Sequence, residues 1–595
     1  MVSSSLGIFA VVAFITSVVL GSPNPVSNAR RQQNFLAVTG ATVGGTQPRI
    51  EIRDLKSQPE AWNLFLLAWA RFQAMDQNAR SSYYQIAGIH GQPNVAWDGV
   101  QSTGVTNAGY CLHGSNLFGT WHKPYLALFE QVLSLRAREI AAEFPAGAKR
   151  DRYVQEAAKL RLPYWDWGLE SSNHDVLPDV MTDATASVTF PNGTTTDIPN
   201  PLLRYSFHPL PPNVFSSPWS DRNVTWRTSP TEADDIAAIE SRLSGENTNI
   251  RTTLYQILTQ YQSFNQFSNT GSEQSLYGSL EGIHNNIHST FNGGHMGAVP
   301  VAAFDPLFWV HHANVDRIMH IFMKLYPDTY VTPYEQSIPS FMARRGQVYN
   351  AGTRRRPFPI LSPQSPVFLT HLIALWPFHS TSSGEFWTSN SIRPTTVNHY
   401  TYPELADNPS NETLKARINA LYRPMATSVA SPNSRAAPRA YLAVVDAPLT
   451  LAQDDAMGGI YSIDIFLGPG TASSPPLRWP TDSSYVGSTV FLGNARGAQG
   501  DVVRNSVELT QALKERFDRG QLSALDQDSV LAYLKDNLSW RVEQEGVELD
   551  VGSVSGLRIS VRSTEVSEGG DGFPKFGDWS EHGEITTGRP GGVKL

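Results

Sequence analysis

Apolar residues recur at helical spacing over 59–77, 121–143 and 305–326, which predicts three long helices with one face turned to a core. Pro124 falls in the opening turns of the second, where proline is tolerated. Over about 171–230 the chain is rich in Pro, Asn and Thr, and it reads as a long surface excursion. Residues 424–439 (PMATSVASPNSRAAPR) lack large apolar side chains, which predicts an exposed linker open to proteases. Beyond it the pattern changes. Short β-branched and aromatic runs at 440–451, 459–467 and 488–492 are bounded by Gly and Pro. Two helices are expected at 507–518 and 528–537, then strands at 539–544 and 557–563. The tail from Gly569 is Gly-rich and reads as disordered. The pattern predicts a mainly α region followed by a β-rich α+β C-terminal domain.

The N-terminus adds a location. Residues 6–20 are an apolar run of signal-peptide length, too short for a comfortable membrane span, with small Gly21 and Ser22 after it. No Lys or Arg precedes that run, so the amino terminus alone supplies its positive charge. A polar stretch then ends in Arg30-Arg31, a kexin-type processing pair. The expected domains are 1–21 signal peptide, 22–31 propeptide, 32–423 catalytic domain, 424–439 cleavable linker, 440–568 C-terminal domain and 569–595 tail. A secreted, extracellular protein follows, and sequons at Asn192, Asn223, Asn411 and Asn537 permit N-glycosylation. No later segment is apolar enough to span a bilayer, so no membrane partner is expected. A hydrophobic fraction of 41% can fill a large core. The net charge of −8 implies no basic face for nucleic acid, and Arg354-Arg355-Arg356 before Pro357 reads as a solvated loop.

Histidine carries the chemistry. His90, His113 and His122 form one cluster, and His284, His288 and His312 a second, with no carboxylate spaced to join either. Two sets of three neutral nitrogen ligands suit two neighbouring transition ions with room for a small molecule between them: a dicopper centre that binds dioxygen. His284 and His288, four apart, share one helix face. A zinc protease helix would carry Glu after its first His, where this chain has Asn285. Adjacent His311 and His312 point about 100° apart on a helix, so one of them reaches the metal. His320 and the other member of that pair read as structural, and His295 as a neighbour of the site rather than a ligand. His174, His208, His371, His379, His399 and His582 have no partner pattern. Asp316 and Arg317 read as a pair that orients their helix.

Tyr110-Cys111-Leu112-His113, with Thr120-Trp121-His122-Lys123-Pro124-Tyr125, resembles the first copper motif of fungal tyrosinases, and Gly88-Ile89-His90-Gly91 matches their first ligand segment. Glu281-Gly282-Ile283-His284-Asn285-Asn286-Ile287-His288 and the stretch from Asp305-Pro306-Leu307-Phe308 to Val315-Asp316-Arg317 resemble the second copper motif. Pro163-Tyr164-Trp165-Asp166-Trp167 and Tyr400-Thr401-Tyr402-Pro403-Glu404 match two structural signatures of that family, so the likeness spans roughly residues 35–410. The resemblance implies copper A on His90, His113 and His122, and copper B on His284, His288 and His312, inside a four-helix bundle with one antiparallel helix pair per copper. It implies a thioether between Cys111, the one cysteine of the chain, and His113. Glu281 and Asn285 stand where the family holds a water that acts as base towards monophenols. Val299 stands where plant catechol oxidases carry a bulky gate Phe, leaving the site more open.

The implied activity is hydroxylation of monophenols to o-diphenols and oxidation of these to o-quinones with dioxygen. The C-terminal domain would cover the site until a protease removes it. A loop at 468–487 offers Trp479 and Tyr485 as an aromatic plug. A catechol oxidase without the first step and a haemocyanin-like dioxygen carrier are the alternatives. The Cys-x-x-Cys that some relatives use for copper loading is absent.

Overall fold

The computed structural model describes residues 34–594 except 171–174, 229–233, 272–274, 350–373, 431–436, 450, 452–459, 469–473 and 493–501. The leader with Arg30-Arg31, His174, His371 and Arg354-Arg355-Arg356 lie outside the described residues. The helices that matter in the first unit are α1 (Pro59–Gln73), α2 (Phe118–Glu143), α3 (Ile236–Gln260), α4 (Leu280–Thr290) and α5 (Leu307–Leu325). α1 packs on α2, α2 on α5, α5 on α4 and α4 on α3. The apolar stripes meet as the periodicity requires. Trp69 and Phe72 of α1 lie 5.0 and 4.9 Å from the Phe129 ring of α2, which stacks at 3.9 Å on Trp309 of α5.

α5 carries two charged residues that are 3% and 1% exposed, so their partners decide whether the helix can be buried. Asp316 and Arg317 do not pair with each other, contrary to the expectation from sequence. Neighbours on a helix point apart, and each finds its own network. Asp316 accepts from Arg49 (3.2 Å), Tyr400 (2.7 Å) and Tyr402 (2.6 Å), and Arg49 also binds Glu130 of α2 (2.9 Å). Arg317 binds Asp166 (3.0 Å) and Glu404 (2.6 Å). The two structural signatures noted in the sequence, together with Arg49, thus supply the counter-groups that let α5 sit in the core.

The stretch read as a surface excursion is in part packed inside. Leu202, Tyr205 and Arg227 are fully buried, and Arg227 binds Asp305 (3.1 Å), whose carboxylate also accepts from the Leu307 N–H (2.9 Å) at the start of α5. A buried ion pair overrides what composition suggested.

The second unit is a two-sheet sandwich. One sheet joins β1 (Arg439–Pro448), β4 (Val502–Glu508), β7 (Arg558–Glu568), β8 (Pro574–Phe576) and β9 (Ser580–His582). The other runs in the order β3 (Tyr485–Leu492), β2 (Ile460–Leu467), β5 (Leu538–Gln544), β6 (Val547–Leu549). Alternate residues Tyr441, Ala443, Val445, Ile463, Ile465, Val542, Ile559 and Val561 fill the core between them, with helices α6 (Thr510–Asp518) and α7 (Gln527–Asn537) alongside. Val507 and Glu508 close a strand instead of opening a helix. The tail is not structureless: β8 and β9 pair with β7, Phe573 is buried, and Trp579 donates to the Tyr277 hydroxyl at 2.9 Å. Aromatic anchors outweigh the glycines there. At the start of the predicted linker, Val429 is buried and exchanges two 2.8 Å backbone hydrogen bonds with Arg439.

Candidate metal centre

His284 and His288 project from one face of α4, whose N-cap is Ser279 accepting from the Gly282 N–H (3.1 Å). His312 comes from α5 and His122 from the opening turns of α2. His90 follows the short helix Tyr83–Ala87, and His113 lies in the segment before α2. The first cluster therefore takes one ligand from a bundle helix, not the helix pair the resemblance implied. All six rings are buried. They form overlapping groups: His284, His288, His311 and His312; His90, His122 and His312; His90, Cys111 and His113. Within each, the donor atoms lie within 4.8 Å of one another. His122 and His312 stack across the two clusters at 4.1 Å.

The hydrogen bonds fix the tautomers. A carbonyl oxygen only accepts, so a ring nitrogen facing one must carry the proton. His90 Nδ1 donates to the Val299 carbonyl (3.1 Å), His122 Nδ1 to Phe118 (2.8 Å) and His288 Nδ1 to Met296 (2.5 Å). His284 Nδ1 faces the Asn285 side-chain oxygen at 2.9 Å. In all four rings Nε2 keeps its lone pair, the form a metal requires. Burial holds the rings neutral: His122 is pushed down to about 3, with His288 adding to the effect, and His288 to about 4.

These residues fit a pair of metal ions. His284 Nε2 and His312 Nε2 are 3.3 Å apart. Two nitrogens bound tetrahedrally to one ion at about 2.0 Å stand roughly that far apart. His90 Nε2 is buried and has no hydrogen-bond partner among the described residues. An orphaned buried acceptor costs about 1–3 kcal/mol, so such a nitrogen calls for a ligand.

His311, read as structural, is fully buried with neither ring nitrogen hydrogen-bonded among the described residues, and its ring lies 5.1 Å from His284 and 5.0 Å from His288. The divergence of adjacent side chains separates it from His312 but leaves it against α4. Cys111 Sγ is 3.7 Å from both nitrogens of His113 and 3.4 Å from His122 Nε2. Equal distances put the sulfur on the plane that bisects the ring through Cε1. The Glu281 carboxylate accepts from the Gly114 N–H (2.7 Å) and from the Thr270 N–H and hydroxyl (2.9 and 3.2 Å); burial pushes it up to about 7. His295 Nδ1 accepts from the Trp226 N–H (3.0 Å), and His320 faces Asp316 at 3.4 Å.

Val299 packs against Ile460, Val490 and Leu492, so the C-terminal sandwich reaches the expected gate. Trp479 and Tyr485 lie elsewhere. Both line a crevice with Glu246 and Asn286 at the seam between the units, and the ring each one meets is Phe466, not a site histidine.

Residues 80–325 match the common central domain of tyrosinase, and residues 450–561 match the tyrosinase C-terminal domain. A Neurospora crassa tyrosinase is 30% identical, the match covering 93% of this chain and 98% of that protein. One from Podospora anserina is 32% identical over 83% of this chain and 96% of its own length. The solved structure of latent and active mushroom tyrosinase superposes with a TM-score of 0.76 at 25% identity, over 92% of this chain and 99% of that one. Sequence motifs, histidine geometry and both domains agree: this chain belongs to the fungal tyrosinases, type-3 copper enzymes that oxidise phenols with dioxygen.

Proposed function

We propose that this protein hydroxylates monophenols to o-diphenols, oxidises o-diphenols to o-quinones, and is made latent under its C-terminal domain. His90, His113 and His122 would hold one copper ion and His284, His288 and His312 the other. When bound, the copper pair supplies the oxidation of phenols by dioxygen. The observation that carries the monophenol step is the placement of Asn285 and Glu281 beside His284. A carboxylate offers about four lone-pair sites. Glu281 uses three on Gly114 and Thr270, which leaves one for a water. A water held between Glu281 and Asn285 takes the phenolic proton, the step that a diphenol oxidase can do without. Val299, small at the gate, leaves room for a phenol. A thioether between Cys111 and His113 would lock the ring; forming it breaks the S–H and a ring C–H bond, with the two electrons and two protons passing to dioxygen, the enzyme's own oxidant.

Secretion follows from the leader, and no helix among the described residues is long and apolar enough to cross a membrane. The domain limits proposed are those read from sequence, except that the tail strands belong to the C-terminal domain, with a protease cutting within 424–439. Oxygen uptake on tyrosine and on a catechol, before and after limited proteolysis, tests this. Uptake on both after cutting is expected. Uptake on catechol alone would make the protein a catechol oxidase, and full uptake by the uncut chain would remove the latency.

A further inference from the structure

The chain between α4 and α5 supplies none of the six ligands, yet one ligand of each cluster leans on it. The Met296 carbonyl accepts from His288 Nδ1 (2.5 Å), and the Val299 carbonyl, three residues on, accepts from His90 Nδ1 (3.1 Å). One short stretch of backbone therefore sets the tautomer and direction of a ring in the second cluster and of a ring in the first. His122 and His284 have no such shared support. His122 donates to Phe118 inside α2, and His284 faces its own neighbour Asn285. How the two clusters stand relative to each other then depends on where residues 296–300 are held. A connecting segment of this kind is mobile unless something ties it down.

The tie is His295. Its backbone N–H donates to the Trp226 carbonyl (2.6 Å), and its ring Nδ1 accepts from the Trp226 N–H (3.0 Å). Main chain supplies half of that reciprocal pair and the imidazole the other half. The residue is 1% exposed, and its ring lies 4.5 Å from the Trp219 ring. It does not belong to any group of histidines whose donor atoms converge among the described residues, and its Nδ1 is already taken, so its buried ring is left without a part in holding metal. The residue it grips is followed by Arg227, which binds Asp305 at the start of α5, the helix of His312. At the other end of the stretch the Gln92 N–H donates to the Pro300 carbonyl (2.7 Å). The segment of His90 comes so near that a Cβ on Gly91 would lie 2.2 Å from the same Pro300 oxygen.

We infer that His295 is a positioning residue for both metal sites: it fixes residues 296–300, whose carbonyls aim His288 at one copper ion and His90 at the other. This rests on the ligand sets proposed above. Hydrogen-bond partners that orient a metal-bound imidazole are worth about 10–100-fold in metal affinity. His295 stands behind two of them at once, so its loss is felt at both ions.

The test counts copper per chain in copper-loaded wild type, His295→Asn, His295→Leu and Gly91→Ala after dialysis against graded concentrations of a copper chelator. Asparagine places its side-chain oxygen where Nδ1 accepts, so His295→Asn should hold both ions as wild type does. His295→Leu keeps bulk and loses the acceptor. It should release both ions together, at a chelator strength about 10–100-fold lower. Gly91→Ala displaces only the Pro300 end and should release one ion while the other stays. Deuterium uptake of His295→Leu should rise over 88–92 and 289–301 and match wild type in the C-terminal sandwich, which separates a shifted support from general unfolding. Retention of both ions by His295→Leu, release of one alone, or equal losses in His295→Asn and His295→Leu would overturn the shared support. If His295→Leu does not fold, retention of both ions by Gly91→Ala overturns it. A wild type without two copper ions would instead deny the ligand sets themselves.

Discussion

The side-chain oxygen of Asn285 holds the His284 proton on Nδ1 and so presents Nε2 to the metal. Partners of this kind are worth about 10–100-fold in metal affinity. Asn285→Leu should lose copper B to a chelator that much more readily, while Asn285→Asp, which keeps an acceptor, should retain it; equal retention by both variants would deny the orienting role. Glu281 has two duties to separate. Glu281→Gln turns an amide NH2 towards the backbone donors of Gly114 or Thr270, so the loop carrying His113 loosens and both substrates suffer. A general base adds about 10²-fold or more. The ratio of monophenol to diphenol rates should therefore fall by about that factor, and an unchanged ratio would leave Glu281 purely structural. At this scale the six histidines that the fold brings together were legible in spacing and motif. The partners of Glu281 were not, because Gly114 and Thr270 arrive from loops that only the folded chain brings together. The surroundings of His311 were not legible, because helical geometry says that adjacent rings diverge, not what the second ring meets.

The burial of α5 depends on Arg49, Asp166, Glu404, Tyr400 and Tyr402. Removing one partner of a buried ion pair costs about 3–5 kcal/mol, so Arg317→Met should lower the melting temperature by that equivalent, with Asp166 and Glu404 left uncompensated. Despite burial, Asp316 is held below the usual carboxylate range by His320, Arg49 and Lys123, and Glu404 by Arg317. Stability from depressed carboxylates is full above the ordinary range near about pH 4 and is lost as pH falls below it. Acid unfolding should accordingly be less steep in Glu404→Gln than in the parent, and identical slopes would exclude this network as its cause. Helices α1, α2 and α5 were readable from sequence to within a few residues. Strand β4 and the tail strands were not. β4 runs directly into α6, so periodicity alone blurs the boundary. The tail is held by Phe573 and Trp579 gripping distant residues, a long-range effect that its glycines conceal.

The two units approach closely because two glycines allow it. A Cβ on Gly245 of α3 would lie 2.1 Å from the Pro480 carbonyl oxygen, and one on Gly487 of β3 2.5 Å from the Asn249 side chain. Alanine favours a helix over glycine by about 1 kcal/mol, so Gly245→Ala should leave α3 sound while unseating the C-terminal domain. The uncut variant should then oxidise diphenols nearly as fast as the cut wild type; a fully latent variant would show that the seam does not hold the cover. A two-unit architecture was legible in the change of pattern near 424–439. What touches the gate was not, since Ile460, Val490 and Leu492 look like ordinary strand residues until their ends are seen against Val299. The proposed chemistry needs two ions held by six histidines. Copper per chain, measured on purified wild type and on His288→Ala, tests that most directly. Two ions in the first and the loss of one in the second are expected. Zinc or iron at full occupancy, or an unchanged copper content in His288→Ala, would contradict the dicopper assignment.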